Sequence, residues 1–343
     1  MNKLPQAEKD KIIHFCKVCV ENALPFQKLS DDEFIVSIVK NIDYNEDFNL
    51  RICPPSSLNR LFTDFSNHNE DEPLTINCDY YDTTTRIPNL KGPNLSMFHL
   101  NLASLGLHKD ELEAVLSLLD VQFDIIAISE TKIIKDVAPI FDINIPGYNP
   151  YQTPTESFKG GVMIYVKHGL EVKRRTDLES RMYETGKLES VFLEILNGKK
   201  KNDIFGCIYR HPSMDINSFN EKYFNETIAR ISEEKKICYL AGDFNIDLLK
   251  SDSDNHTKDF FDTMTANLFV PHITLPTRIT RRSQTLIDNI YSNNPEFENC
   301  TSGNFTFSIS DHLAQFLIVP STETRPPKSH NIKIRDTKNY SHD

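Results

Sequence analysis

Apolar and polar positions along the chain fall into two regimes that meet near residue 93. Before that point the tracts 31–33, 41–49 and 67–73 are polar and acidic, and Pro54, Pro55, Pro73, Pro88 and Pro93 punctuate the stretch. Such a stretch predicts a loosely structured or extended region with two short helices. From residue 94 the pattern becomes regular. Residues 95–100 read as a strand, and 110–120 carry Leu112, Val115, Leu116 and Leu119 at i, i+3, i+4 and i+7, one apolar helix face. The run 123–128 is short and apolar and ends in Ser129-Glu130-Thr131, as a strand buried on both faces would.

Further strands are expected at 161–166, 190–196, 204–209, 237–241, 286–291, 301–309 and 313–319. A second amphipathic helix at 216–231 lines up Ile216, Phe219, Tyr223, Phe224, Ile228 and Ile231, and a third is expected at 256–267. Strands outnumber helices about two to one, with hairpins mixed among helical crossovers. That predicts an α/β fold of mixed sheets packed on each other with helices outside, rather than a doubly wound parallel sheet. The expected organisation is an N-terminal region at 1–92, one domain at 93–320, and a disordered tail at 321–343, where Ser, Thr, Pro and Lys dominate.

Composition narrows the classes. No apolar run approaches the ~18 residues of a membrane helix, and the opening residues lack the apolar stretch of a secretory signal. The seven Cys therefore need not form a disulfide framework, and reduced thiols in nucleus or cytoplasm, not secretion, are expected. The 38 Lys and Arg against 49 Asp and Glu give a net charge of −11. This argues only weakly against a nucleic-acid partner: a metal-dependent site concentrates carboxylates, and DNA contact needs a local basic strip. Candidate strips are Lys173-Arg174-Arg175, Lys199-Lys200-Lys201, and the loop holding Arg278, Arg281 and Arg282.

The chemistry concentrates where strands are expected to end. Asn101, Glu130, Tyr209, Asp243 with Asn245, and Asp288 with Asp311 and His312 form polar clusters at five such places. Singly, each has an ordinary reading: Gly-Asp-Phe-Asn as a turn, Ser-Asp-His as a cap or turn, Asn101 as a loop residue. Together they supply hard oxygen ligands and one titratable imidazole, a set suited to Mg²⁺ chemistry on a phosphate.

In order and wording, the blocks His-Leu-Asn-Leu-Ala-Ser-Leu, Ile-Ser-Glu-Thr-Lys, Gly-Gly-Val-Met-Ile-Tyr-Val, Tyr-Arg-His-Pro, Ala-Gly-Asp-Phe-Asn-Ile-Asp, Leu-Ile-Asp-Asn-Ile-Tyr and Ser-Asp-His resemble the endonuclease/exonuclease/phosphatase superfamily. They look most like the endonuclease domain of non-LTR (LINE-type) retrotransposons, over about 93–320. The resemblance implies a four-layered α/β/β/α sandwich with its active site where the two sheets open. It implies Glu130 as principal metal carboxylate with Asn101 beside it, and Asp311 on the metal side. Asp243 would position or deprotonate the attacking water, Asn245 would orient water and phosphate, and Tyr209 would lie against the phosphate or leaving group. His312 would contact the scissile phosphate, held by Asp288. Family mechanisms differ on whether the Asp or the His takes the proton. The implied cofactor is Mg²⁺, with Mn²⁺ as substitute, and the implied partners are DNA and a reverse transcriptase of a related element. DNA-repair relatives place an Asp two residues after the Asn, where this chain has Ala103, which turns the expectation away from abasic-site repair.

The expectation is thus a Mg²⁺-dependent endonuclease that nicks DNA to leave a 3′ hydroxyl, with Arg278, Arg281 and Arg282 contacting the strand. The chain ends about where a polymerase would begin, as in a truncated element or a host-retained fragment. Three alternatives stand beside it: a phosphomonoesterase or phospholipase using the same metal site, a catalytically decayed binding module, and a zinc-dependent interaction protein. Cys16-Lys-Val-Cys19 resembles the end of a PHD-type finger, but His14, Cys53 and Cys78 are poorly spaced to complete it.

Overall fold

The computed structural model describes residues 76, 78–85, 87, 94–119, 121–136, 138, 140–156, 159–198, 201–280, 283–307 and 309–320. The Cys16–Cys19 pair, Arg281, Arg282 and the tail from 321 lie outside the described residues. In chain order the strands are β1 (Cys78–Tyr81), β2 (Asn94–Asn101), β3 (Ile125–Ser129), β4 (Tyr148–Thr153), β5 (Val162–Lys167), β6 (Val172–Arg174), β7 (Leu188–Ile195), β8 (Asp203–Arg210), β9 (Cys238–Asp243), β10 (Val270–Pro271), β11 (Arg278–Ile279), β12 (Gln284–Thr285), β13 (Asp288–Ser292), β14 (Thr301–Phe305) and β15 (Ala314–Pro320). The helices are α1 (Leu105–Leu118), α2 (Thr176–Glu179), α3 (Ile216–Phe219), which runs through a π turn into α4 (Asn225–Glu233), and α5 (Asn255–Ala266). Among the described residues no helix is long and apolar enough to cross a membrane.

The strands form a seven-stranded sheet in the order β1-β14-β15-β2-β3-β5-β4 and a six-stranded sheet in the order β10-β13-β9-β8-β7-β6; β11 and β12 make a small separate hairpin. Both large sheets mix parallel and antiparallel pairs. Side chains alternate across each strand, and this divides the core into three slabs. Met97, Ile125, Ile164 and Leu317 of the first sheet meet Val191, Phe205, Tyr239 and Ile290 of the second between the sheets. The opposite set of the first sheet, including Phe98, Ile126, Tyr165 and Phe316, packs on Leu112 and Val115 of α1. Phe192, Ile208 and Leu240 of the second sheet pack on Phe219, Phe224, Ile228 and Phe260 of the other helices. The layering is therefore helix, sheet, sheet, helices, the α/β sandwich that the periodicity and the family resemblance led one to expect.

Two departures have physical causes. β4, Tyr-Asn-Pro-Tyr-Gln-Thr, has no apolar alternation and carries a proline, which only an edge strand tolerates, and it lies at the edge of its sheet. β1 lies before the boundary expected at 93 and yet pairs in parallel with β14, Cys78 opposite Ser302 and Tyr81 opposite Phe305. Its four residues are too few, and too polar, to announce a strand.

Candidate active site

Register explains why polar residues from distant motifs share one rim. β8 and β9 run parallel with Tyr209 opposite Asp243, and β13 runs antiparallel to β9 with Asp288 opposite Asp243. In the other sheet β2 and β3 run parallel with Asn101 opposite Ser129, so Glu130 emerges one residue past the strand end. Gly242 is what lets β9 close so tightly on β8: at φ +158, a Cβ there would sit 1.9 Å from the Ile208 carbonyl oxygen.

A continuous hydrogen-bond network joins the two sheets at this rim. The Asn101 amide donates to Asp243 Oδ2 at 2.8 Å and to Glu130 Oε1 at 3.1 Å, so one side chain bridges the sheets. The Tyr209 hydroxyl donates to Glu130 Oε1 at 3.0 Å, and Lys132 Nζ lies 3.5 Å from Glu130 Oε2. Asp243 accepts the Asn245 backbone N–H at 2.9 Å and its side-chain amide at 3.1 Å. Asp288 Oδ2 accepts from His312 Nδ1 at 2.8 Å and from the Thr277 hydroxyl at 2.7 Å. Ser310 Oγ donates to the Asn101 carbonyl at 2.5 Å, fastening the Ser-Asp-His turn to β2.

Backbone strain gathers at the same place. Of the six non-glycine residues with positive φ among those described, Ala103, Glu130, Lys132 and Asn245 lie in these motifs. Left-handed backbone costs roughly 1–2 kcal/mol per residue, and it persists where the surrounding bonds over-determine it. For Asn245 the clamp is Arg210. This guanidinium is buried, donates to the Phe244 and Asn245 carbonyls at 2.6 Å each and to the Met214 carbonyl, and its own carbonyl accepts the Asn245 amide at 2.8 Å. Burial draws the Arg210 pKa down to about 10, so it stays charged at neutral pH.

Electrostatics divides the rim into two roles. Asp243, Asp288 and His312 are buried, with ligand atoms within 4.8 Å of one another. Burial, then the Asp288 charge, push the Asp243 carboxyl up, to about 7, against the opposing His312 charge and two hydrogen bonds. Burial alone would lower His312, but the charge and hydrogen bond of Asp288, with Asp243 and Asp311, lift it to about 9. Asp288 would be raised by burial; its charged and hydrogen-bonded partner His312 instead holds it below the usual carboxylate range. At neutral pH the site therefore holds an imidazolium beside an ionised Asp288 and an Asp243 poised to exchange a proton.

The expected site residues fare unequally. Asn101, Glu130, Tyr209, Asp243 and Asn245 are joined by side-chain hydrogen bonds, and Asp288 and His312 form a bonded pair beside Asp243. Asp311 is more than half exposed and pairs with Arg278, whose Nε lies 2.8 Å from Asp311 Oδ2; its other oxygen is 4.0 Å from His312 Nε2. Arg278 begins the β11–β12 hairpin and through Asp311 stands beside the His312 turn, while Arg281 and Arg282 lie outside the described residues. Of the other basic strips, Arg174 binds Glu179, and Arg175 is held by Asp177, Glu194 and Glu234. Sequence reasoning missed Thr277 and the clamping role of Arg210. Arg210 sits in a quoted motif and its signal was a charge directly at the end of an apolar strand; Thr277 lies in an irregular segment and offers none.

If Asp243 accepts a proton during turnover and His312 acts as imidazolium, kcat/KM should rise with pH as Asp243 ionises and fall as His312 loses its proton near pH 9. A bound divalent cation favours the charged carboxylate, so raising its concentration should move the acid limb to lower pH and leave the alkaline limb in place. A pH–rate profile at two metal concentrations checks this; an alkaline limb that tracks the metal removes His312 from that role.

Comparison with known proteins places this geometry. Residues 94–312 match the model of the Endonuclease/Exonuclease/phosphatase family. Among solved structures, the AP endonuclease LMAP from Leishmania major superposes with a TM-score of 0.54 at 15% identity, covering 66% of this chain and 88% of that one. An AP endonuclease from Archaeoglobus fulgidus gives 0.50 at 17% identity, covering 66% and 100%. The endonuclease domain of TRAS1, a telomere-specific non-LTR retrotransposon, gives 0.49 at 16%, covering 66% and 98%. At these identities the likeness is one of fold. No curated protein sequence matches the chain.

Proposed function

The chain belongs to the endonuclease/exonuclease/phosphatase family, and from that premise we propose that it is a Mg²⁺-dependent DNA endonuclease of the non-LTR retrotransposon kind, nicking one strand to leave a 3′ hydroxyl. The observation that carries the reading is the bridge made by Asn101 between Glu130 and Asp243, beside the Asp288–His312 pair: an oxygen-rich rim next to a poised base and a cation. The wording of the motifs supports the retrotransposon branch. So does Ala103, which offers no carboxylate where the repair relatives have one. The Arg278 hairpin beside the Ser-Asp-His turn favours a polyanionic strand over a small phosphate ester.

In-line hydrolysis forms a bond from water oxygen to phosphorus and breaks the bond to the 3′ oxygen, with charge building on the non-bridging and departing oxygens. Asp243 takes the proton of the attacking water, since His312 already carries one at neutral pH. Asn245, fixed by Arg210, orients the water and the phosphate. His312 donates from Nε2 to a non-bridging oxygen while Asp288 holds its Nδ1. Tyr209, whose hydroxyl is hydrogen-bonded to Glu130, would lie against the phosphate or the leaving group. The residues fit a hard cation: Glu130 and Asp243 supply carboxylate oxygens and Asp288 Oδ1 is buried with no hydrogen-bond partner among the described residues, while Asn101, whose N–H groups bond both carboxylates and whose Oδ1 accepts the Ala103 N–H, would join by turning its amide oxygen to the ion. Glu130 and Asn101 would hold Mg²⁺, with Mn²⁺ as a substitute, and the bound ion would supply stabilisation of charge on the departing oxygen.

The test is relaxation of supercoiled plasmid in Mg²⁺ with and without EDTA, run beside inositol phosphate and sphingomyelin hydrolysis, with the nicked ends mapped. EDTA-sensitive nicking to 3′ hydroxyl ends is expected; turnover of a small phosphate ester with intact plasmid would replace this reading by the phosphatase one. Within the same assay Glu130→Gln keeps shape and removes the charge a hard cation needs. It should raise the Mg²⁺ concentration for half-maximal nicking about 10-fold or more while the melting temperature holds. An unchanged metal titration would take Glu130 out of the metal site.

A further inference from the structure

The family-matched span begins at 94, yet the contacts of β1, which precedes it, lead to the catalytic rim. In the parallel β1–β14 pair Tyr80 stands opposite Asn304, and both side chains reach one carbonyl. The Tyr80 hydroxyl donates to the Pro276 oxygen at 3.0 Å, and the Asn304 amide donates to it at 3.1 Å and to the Leu275 oxygen at 3.3 Å. The next residue is Thr277, which is fully buried. Its hydroxyl donates to Asp288 Oδ2 at 2.7 Å and accepts the Asp288 N–H at 3.2 Å, and its carbonyl accepts the N–H of Leu313, the neighbour of His312, at 2.7 Å. One residue thus ties the strap 272–277 to both members of the Asp288–His312 pair.

The strap lies between elements of both sheets. Ser302 Oγ of the first sheet donates to the His272 carbonyl at 2.6 Å, and the Asn289 side chain of the second exchanges bonds of 3.1 and 2.8 Å with the Ile273 backbone. β14 is shaped to receive β1: a Cβ on Gly303 would lie 2.5 Å from the Asp79 carbonyl oxygen and 2.5 Å from the Tyr81 ring. Tyr81 in turn packs edge-on against Phe316 at 5.1 Å, and the Thr306 N–H bonds the Tyr81 carbonyl at 2.8 Å. The strand is therefore docked by packing and by pairing, and two side chains reach the strap: the Cys78 thiol, which hydrogen-bonds with Thr274 and Leu275, and the Tyr80 hydroxyl, which meets the residue next to Thr277.

We propose that β1 is a positioning strand of the active site, in which the Tyr80 hydroxyl pins the Pro276 carbonyl and so holds Thr277 in register with Asp288 and His312. Tyr80 is a positioning residue, acting through Thr277 on the orientation of the imidazole. The proposal rests on the nuclease reading of that rim for its catalytic consequence, though not for its geometric one.

The experiment uses the full chain. Tyr80→Phe removes only the hydroxyl; Gly303→Ala leaves Tyr80 intact and pushes β1 off β14. For plasmid or oligonucleotide nicking in Mg²⁺, each should lower kcat about 10-fold, the scale of a sub-ångström misplacement, with KM changed less than about 2-fold. The downfield proton resonance of His312 Nδ1 should shift or broaden in both variants. A resonance that stays in place in both overturns the proposal, whatever the rates do. If the wild type cleaves no DNA, the nuclease reading falls, and the resonance still decides the role of the strand.

Discussion

Replacing Asp243 by Asn is expected to lower nicking by about 10²–10⁴-fold, the range for loss of a positioned general base, while the folded protein becomes no less stable at neutral pH. The two halves come from the same fact. Burial, then the Asp288 charge, hold the Asp243 pKa above its usual value, so the folded state binds this proton more tightly than the unfolded chain does. Such a group favours folding at low pH, and that contribution is lost as pH rises from the ordinary carboxylate value through the raised one. The Asp243→Asn variant escapes that loss; its amide oxygen can keep the bond from Asn101 at 2.8 Å, while its amide nitrogen cannot accept the Asn245 N–H now bonded at 2.9 Å, a loss of about 1 kcal/mol set against the relieved burial of charge. Melting curves at pH 5 and pH 8 beside nicking rates check the pairing. Nicking within about 3-fold of wild type would mean that Asp243 is not the base; a variant that melts far lower at pH 8 would mean that its charge is compensated in the fold.

How much of this was readable from sequence depends on the kind of signal. The buried strands β3, β8 and β9 are short apolar runs that stop at a polar residue, so both the strand and the end that carries Glu130, Tyr209 or Asp243 were visible together. α1 begins five residues before the expected start at 110, because its first turn, from Leu105, is set by tertiary bonds: the Leu105 N–H binds the Thr131 carbonyl at 3.0 Å. Hydrophobic periodicity does not encode a contact of that kind. The edge strands β1 and β4 escaped notice for a similar reason, since an edge needs neither alternation nor a long apolar run. The site was legible as a set of motifs but not as a network. Nothing in the spacing of Asn101, Glu130 and Asp243 says that one amide bonds both carboxylates, and nothing local marks Thr277 as the donor to Asp288. Motif residues are visible because chemistry restricts their type, whereas their supports are restricted only by where the fold places them.

The Asp288–His312 pair should behave as one unit in mutation. On the proposed function His312→Ala removes the imidazolium meant to meet the phosphate and is expected to cost about 10²–10⁴-fold in kcat. Asp288→Ala leaves the imidazole present but without its partner. Burial then acts on His312 with only Asp243 and Asp311 left opposing it, so its pKa should fall from about 9 toward or below the ordinary histidine value. The alkaline limb of the pH–rate profile should move to lower pH with it, and at neutral pH the single variant should lose about 10²-fold or more. The double variant should be no worse than His312→Ala alone, because Asp288 then has no imidazole to hold; residues that act together are strongly non-additive. The stability effect has its own sign. His312 carries a raised pKa in the folded state, so its contribution is full below the unfolded value and is lost as pH rises through about 9. Wild type should therefore lose melting temperature between neutral pH and pH 9 more steeply than His312→Ala does. A double variant whose loss is the sum of the two single losses, with an alkaline limb that stays where it was in Asp288→Ala, would show that the 2.8 Å contact between Nδ1 and Oδ2 is packing without catalytic consequence.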